Sequence, residues 1–89
     1  MKRPWEADPN ATFSRRIGKS PLELGNTSSN PSCPDIWELS NGDFAVIGRD
    51  LTNSLDGVLP DDVSIGPDER LVVIPRSQLV EARNDIPLA

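Results

Sequence analysis

The sequence has no histidine and no tyrosine, and its one cysteine is Cys33. Without histidine the chain lacks the commonest general base and the commonest transition-metal ligand, so a nucleophilic triad is excluded. Cys33 has no second cysteine with which to form an intramolecular disulfide, and no basic residue stands beside it to activate its thiol. We therefore expect a protein that is not an enzyme and that binds no cofactor and no metal ion.

Long apolar runs are also missing. No stretch of the sequence approaches the roughly 20 apolar residues of a membrane span. After the basic start Met1-Lys2-Arg3, residues 4–9 contain two prolines and two acidic residues where a signal peptide needs an apolar region. We expect a soluble, cytoplasmic protein that makes no membrane contact.

Basic residues are scarce, since nine Lys and Arg face fourteen Asp and Glu, giving a net charge of −5. The balance is uneven: residues 1–32 carry five basic and three acidic side chains, whereas residues 33–89 carry four and eleven. Domains that bind nucleic acid normally carry an excess of Lys and Arg, so nucleic acid is an unlikely partner by composition. The acidic C-terminal part suits the basic surface of another protein.

Two groups of charged residues are candidate contact sites. The candidates for a protein partner are the carboxylates Glu38, Asp43, Asp50, Asp61, Asp62, Asp68 and Glu69. The candidates for an anion are the cations Arg15, Arg16, Lys19 and Arg76. A small hydrolase could also use the carboxylates Asp35, Glu38, Asp43 and Asp50, but such an enzyme needs a cleft that desolvates one of them, which a domain of this size rarely has.

The N-terminal third is predicted to contain a short helix. Residues 1–8 are expected to be disordered, and Asp8-Pro9 is typical of a helix N-cap followed by its first residue. Phe13 and Ile17 would then share one helix face, and Gly18 would end the helix in a left-handed conformation. Residues 25–34 are polar, contain two prolines and are predicted to form a loop.

The most informative pattern is Asn41-Gly42 between two β-prone runs, which predicts a hairpin of residues 35–40 and 43–48. A two-residue type I′ turn at this dipeptide sets the register. That register places four large apolar residues on one face, pairing Leu39 with Phe44 and Trp37 with Val46. It predicts that Trp37 is largely buried beside Val46.

The C-terminal half is predicted from shorter signals. Residues 50–62 allow one irregular helical turn or a packed loop, residues 63–65 a short strand, and Gly66-Pro67-Asp68-Glu69 a type I turn. Residues 71–74 are apolar on both faces, which is typical of a central strand. Ser77 is predicted to cap a final helix whose apolar stripe is Leu79, Val80 and Ala82.

These elements give an α+β fold in which residues 9–89 form a single small domain. It would contain an antiparallel sheet of three or four strands, a short N-terminal helix and a C-terminal helix. Strand 35–40 is predicted to pair with residues 19–26 or across a dimer axis, and otherwise to leave an open edge. The chain is therefore expected to be a monomer or a homodimer.

Three segments carry a family resemblance: CPDIWEL at 33–39, NGDFAVIG at 41–48 and GPDERLVVIPR at 66–76. Together they resemble a family of small actinobacterial proteins of uncharacterised function, and this resemblance implies no catalytic residue. The order of elements is also similar to that of the BldB-like short proteins that accompany helix-turn-helix regulators. Residues 71–77 resemble the strand–Ile-Pro–helix segment of AbrB-like DNA-binding antitoxins.

Charge, size and missing chemistry lead to one main hypothesis and two alternatives. The main hypothesis is a non-enzymatic accessory or regulatory protein that binds another protein, such as a basic transcription regulator. The first alternative is a small DNA-associated or antitoxin-like regulator that uses the four candidate cations. The second is a small carboxylate-dependent enzyme.

Overall fold

The computed structural model describes residues 4–28 and 33–87. Within these ranges the strands are β1 (Phe13–Arg16), β2 (Asp35–Leu39), β3 (Phe44–Ile47), β4 (Arg49–Asp50) and β5 (Val72–Val73). The helices are α1 (Thr52–Leu55) and α2 (Arg76–Ala82), each followed by a 3₁₀ turn, at Asp56–Val58 and Arg83–Asp85. Strands β1, β2 and β3 form an antiparallel sheet in that order, and β4 and β5 form a separate ribbon. The predicted α+β class is confirmed.

The hairpin of β2 and β3 is confirmed, but its turn is not of the predicted type. Gly42 has a φ of 90° and its N–H donates to the Leu39 carbonyl over 3.0 Å. No described residue other than glycine has a positive φ, so the two positive φ angles of a type I′ turn are not present. The loop has three residues, 40–42, because the Leu39 N–H donates to the Asp43 carbonyl over 2.8 Å. Such loops combine a type I turn with a left-handed glycine.

The longer loop shifts the hairpin register by one residue. Trp37 lies opposite Ala45 and Ile36 lies opposite Val46, so the predicted pairing of Trp37 with Val46 is wrong. A one-residue shift exchanges the two faces of β3. Consequently Val46 shares a face with Ile36, and Ile47 shares the other face with Trp37. Trp37 is half-buried and packs against the ring of Phe13, with 5.7 Å between ring centroids.

The predicted N-terminal helix is wrong, because Phe13–Arg16 form strand β1. The Asp8 side chain accepts from the Asn10 N–H over 2.8 Å, and the Asp8 carbonyl accepts from the Ala11 N–H over 3.2 Å. This turn is not continued as a helix. A helix of nine residues needs tertiary contacts to persist, and pairing with β2 provides better ones. Gly18 does adopt a left-handed φ, of 76°, but after a strand.

The predicted pairing of residues 19–26 with β2 is also wrong. Ser20 and Glu23 form a capping box: the Glu23 N–H donates to Ser20 Oγ over 3.2 Å, and the Ser20 N–H donates to Glu23 Oε1 over 3.1 Å. They begin a single helical turn that ends at Gly25, whose φ is 74°. Strand β2 instead has β1 on one side and β3 on the other, so it is the central strand.

The C-terminal half departs from prediction at two short strands. Residues 63–65 form no strand. Val72 and Val73 pair only with Asp50 and Arg49, and both valines are exposed, so the predicted central position of residues 71–74 is wrong. Only Ile74 of this run packs against the core, and the two-residue strand β5 joins the ribbon and not the three-stranded sheet. The helical turn predicted within residues 50–62 is confirmed as α1 and its following 3₁₀ turn.

The predicted C-terminal helix is confirmed as α2, but with another cap and another buried face. The helix begins after Pro75 without a side-chain cap, and Ser77 Oγ instead accepts from Asn26 Nδ2 over 3.2 Å. Gln78 and Ala82, four residues apart, are buried, whereas Leu79 and Val80 are exposed. The predicted apolar stripe is therefore correct only at Ala82.

The core is small and lies between the sheet and α2. Among the described residues it consists of Ile17, Ile36 and Ala82, with Ile74 packed against them. Gln78 is buried beside this core, and its amide is satisfied: Oε1 accepts from Asn26 Nδ2 over 3.0 Å, and Nε2 donates to the Lys19 carbonyl over 3.2 Å. Helix α2 thus covers one part of one face of the sheet.

Candidate functional site

A groove of about 580 Å³ lies between the N-terminal segment and the loop that precedes β5. We call it the Trp5 groove. It is lined by Trp5, Glu6, Ala7, Leu59, Val63, Ser64, Ile65, Asp68, Glu69, Arg70 and Leu71. The apolar members come from positions that no regular strand or helix occupies, so no hydrophobic periodicity marks them in the sequence.

Trp5 is held in place by the hairpin turn. Its Nε1 donates to Asp43 Oδ2 over 3.2 Å, and the same carboxylate oxygen accepts from Asn41 Nδ2 over 3.2 Å. Trp5 is nevertheless 61% exposed. A tryptophan that is fixed at its nitrogen and open at its ring presents a rigid aromatic surface to solvent. Of the segment 1–8 that was expected to be disordered, residues 1–3 lie outside the described residues, so their disorder stays a prediction, whereas Trp5 is hydrogen-bonded to the hairpin turn.

The rim of the Trp5 groove is acidic. Three carboxylates, Glu6, Asp68 and Glu69, line it together with one cation, Arg70. The type I turn predicted at residues 66–69 forms, since the Glu69 N–H donates to the Gly66 carbonyl over 3.1 Å. Glu69 Oε1 in turn accepts from the Gly66 N–H over 2.7 Å, which holds this carboxylate at the rim.

The structure brings together only part of the predicted acidic contact set. Asp68 and Glu69 line the groove, and Asp43 orients Trp5 beside it. The other four acidic candidates, Glu38, Asp50, Asp61 and Asp62, lie outside its lining. No predicted contact set includes the other lining residues Trp5, Leu59, Val63, Ile65 and Leu71. The available signal was Trp5 itself, an aromatic residue next to Glu6 in a chain with four aromatic residues.

Two of the remaining acidic candidates are engaged by neighbouring groups. Glu38 Oε1 accepts from Arg15 Nε over 2.8 Å. Asp50 Oδ1 accepts from the Thr52 N–H over 3.0 Å, and hydrogen bonds from the Thr52 side chain and backbone hold the pKa of Asp50 below its ordinary range. Glu38 thus links β2 to β1, and Asp50 accepts a hydrogen bond from the first residue of α1.

The basic candidates do not form one cationic surface. Arg16 makes a two-pronged contact with the buried Asp35, through Nε to Oδ1 over 3.1 Å and Nη2 to Oδ2 over 2.9 Å. This hydrogen bonding raises the pKa of Arg16, whose guanidinium also lies 4.8 Å from the centre of the Trp37 ring. Arg15 pairs with Glu38 and donates to the Asp85 carbonyl. The charges of both arginines are thus partly compensated within the chain, and Lys19 and Arg76 are exposed.

A second cavity, of about 270 Å³, surrounds Cys33. It lies between the start of β2 and the β4–β5 ribbon, and Cys33 is exposed in it. The structure places Arg49 in the same lining, a neighbour that the local sequence around Cys33 does not indicate. The remaining lining is Asn26, Pro34, Gly48, Val73, Ile74 and Pro75.

Metal binding and membrane insertion are two further properties that residues 4–28 and 33–87 could carry. No three His, Cys, Asp or Glu side chains in these ranges are arranged to hold a metal ion. Nor is any helix in them long and apolar enough to cross a membrane. Comparisons of the chain with models of protein families, with curated proteins and with solved structures found no match.

Proposed function

We propose that this protein is a non-enzymatic accessory protein that binds a basic segment of another protein in the Trp5 groove. One observation carries the proposal: an exposed, anchored indole stands over an apolar floor whose rim holds three carboxylates and one cation. Exposed aromatic residues that are fixed in position are characteristic anchors of protein interfaces.

The groove suits Lys and Arg side chains in two ways. The face of an indole ring attracts cations, and the acidic residues Asp68 and Glu69 in the lining add negative charge that favours them. Lys and Arg also have long aliphatic stems, which pack well on apolar side chains such as Leu59 and Ile65. A basic segment with interspersed apolar residues therefore fits better than a purely charged one.

A basic regulator is the partner class that we favour. DNA-binding regulators carry clustered Lys and Arg on their surfaces, and a chain with a net charge of −5 attracts such surfaces over long range. The pattern likeness to BldB-like proteins, which accompany helix-turn-helix regulators, agrees with this choice. The pairing of Arg15 and Arg16 with carboxylates speaks against direct DNA binding through these residues.

The proposal is tested by titrating the protein with a synthetic peptide of alternating Lys and Leu, followed by calorimetry. The control peptide carries Glu in place of Lys. We expect binding of the Lys peptide alone, and a loss of about tenfold or more in affinity with Trp5→Ala, as for an interface anchor.

A matched pair of double variants separates the groove from general electrostatics. Asp68→Asn with Glu69→Gln, and Asp61→Asn with Asp62→Asn, each remove two negative charges, but only the first pair lines the groove. We expect the first double variant to lower the affinity for the Lys peptide at least several-fold more than the second. An equal loss of affinity in the two double variants would mean that binding depends only on the net charge of the protein. A salt-sensitive mobility shift on DNA without peptide binding would favour the DNA-associated alternative.

A further inference from the structure

Among residues 4–28 and 33–87, no strand pairs with the outer side of β3. The Leu39–Asp43 hydrogen bond and the observed register show that Ala45 and Ile47 direct their N–H and C=O groups toward β2. The alternation of an antiparallel ladder then directs those of Phe44 and Val46 away from β2. Because β3 is the last strand of the sheet in the described chain, these groups face outward.

The outer side of β3 carries none of the features that normally protect a sheet edge. Its sequence, Phe-Ala-Val-Ile, has no charge and no proline, and its pairing with β2 has no bulge. Phe44, Val46 and Ile47 are all at least 40% exposed. The opposite edge differs, because β1 carries Arg15 and Arg16 and its register shifts between Phe13 and Arg15.

We propose that β3 pairs antiparallel with β3 of a second copy of this chain, joining two sheets into one of six strands. This surface is separate from the Trp5 groove, and the inference does not depend on the proposed function. It rests on the direction of backbone groups, on the absence of charge and on symmetry.

Symmetry fixes the register of the pairing. Antiparallel neighbours are related by a two-fold axis perpendicular to the sheet, and such an axis keeps each face on its own side. Residues of the same face must therefore stand opposite each other. With the outward groups at Phe44 and Val46, the axis passes between two copies of Ala45, and each Phe44 stands opposite Val46 of the second copy. Both backbone hydrogen bonds of each such pair can form, and the small alanines allow the close approach of a non-hydrogen-bonded pair.

The distribution of charge favours β3 as the contact between two copies. Two chains that each carry a net charge of −5 repel each other, so they meet at lowest cost along an uncharged segment. Residues 44–48 contain no charged side chain, whereas two copies of β1 would bring arginines together. A basic partner strand, by contrast, would find no carboxylate along residues 44–48 to favour it.

The test is the oligomeric state as a function of concentration, measured by sedimentation equilibrium. We expect reversible dimerisation of the parent chain and a dissociation constant raised about tenfold or more by Val46→Lys, which places a charge at the edge. The matched control is Val72→Lys: Val46 is 43% exposed and Val72 is 40% exposed, but Val72 lies in the separate ribbon. This control should dimerise as the parent does.

Amide hydrogen exchange of the parent chain provides a second measurement that needs no variant. The amides of Phe44 and Val46 should exchange fast at low concentration and slowly at high concentration, while the Ala45 amide stays protected by β2 at both. A chain that is monomeric at all concentrations would overturn the proposal, as would a dimer in which the Phe44 and Val46 amides still exchange fast. If these amides become protected only after addition of the Lys-Leu peptide, the strand that pairs with β3 belongs to a partner and not to a second copy, and the proposal is wrong.

Discussion

The two margins of the three-stranded sheet are built on different principles. The first, formed by β1 and β2, is held by polar contacts and by the core: Asp35 and Ile36 are buried, and the Arg16–Asp35 and Arg15–Glu38 pairs tie the strands together. We call it the clamped margin. The second, formed by β3, is uncharged and exposed at Phe44, Val46 and Ile47. We call it the open margin.

Apolar character alone does not decide which side chains of this chain are buried. Ile36 is 5% exposed and Ile47 is 47% exposed, although they lie in paired neighbouring strands. Ile36 is buried because α2 covers its part of the sheet, and Ile47 lies on the opposite face. Apolar side chains that α2 does not reach remain available for contacts with other molecules.

The largest expected effect contrasts these two isoleucines. Ile36→Ala should destabilise the protein by about 3 kcal/mol, because it opens a cavity in a core of few residues. Ile47→Ala should cost less than about 1 kcal/mol in the monomer, since the side chain is already largely hydrated. Urea denaturation at low protein concentration measures both. Equal losses would mean that the open margin is buried in solution.

The second contrast concerns two carboxylates. Asp35→Asn should cost about 2 kcal/mol, because it removes the charge that Arg16 and Trp37 Nε1 bind in a buried position. Asp43→Asn in the hairpin turn should cost less than about 1 kcal/mol, since its contacts are near the surface. Thermal unfolding followed by circular dichroism checks the order. A larger loss of stability for Asp43→Asn would mean that the polar contacts of the hairpin turn stabilise the fold more than those of the clamped margin.

The third contrast compares two left-handed glycines. A Cβ at Gly18 would lie 2.9 Å from the backbone nitrogen of Ala82, so Gly18→Ala combines backbone strain with a clash and should cost about 2 kcal/mol. Gly42 has a φ of 90° but open space around it, so Gly42→Ala should cost about 1 kcal/mol. Urea midpoints of the two variants give the comparison. The reverse order would contradict the close packing of α2 on the end of β1.

The smallest expected effect is on the acid limb of stability. Hydrogen bonds from the Ser20 backbone and hydroxyl hold the pKa of Glu23 below its ordinary 4.5, and those from Thr52 hold the pKa of Asp50 below 3.8. A lowered folded-state pKa contributes stability above the unfolded value, which is lost as pH falls through the folded value.

Each carboxylate therefore has its own expected window. Glu23→Gln, in the turn that follows the clamped margin, should flatten the loss of stability that begins below about pH 4.5. Asp50→Asn, in the ribbon that follows the open margin, should flatten the part that begins below about pH 3.8. Urea midpoints measured at decreasing pH test this. Curves parallel to that of the parent would show that neither bond persists in solution.

The predictable parts of the fold are those that local chemistry controls. Asn41-Gly42 predicts a chain reversal because glycine accepts a left-handed φ at little cost, and Pro67-Asp68 predicts a type I turn. The same local reasoning predicts the C-terminal helix that α2 confirms. The Ser20–Glu23 capping box could have been predicted in the same way, since Ser-x-x-Glu is a local signal.

The candidate site was predictable only in its charge. The excess of acidic residues in the C-terminal part predicts an acidic surface, and Asp68 and Glu69 of the predicted set line the groove. The position of Trp5 could not be predicted, because it depends on a hydrogen bond to Asp43, 38 residues away in the chain. The floor of the groove likewise comes from loop residues without periodicity.

Taken alone, the sequence determined the α+β class, the place of the hairpin and the C-terminal helix, since each depends on residues a few positions apart. Tertiary structure decided that residues 13–16 form a strand, because Arg15 meets Glu38 across 23 positions of sequence. It also decided the hairpin register, and through it the face on which each apolar side chain lies. The position at which α2 docks then determines which isoleucines are buried. That position depends on contacts between residues far apart in the sequence, which no local pattern encodes.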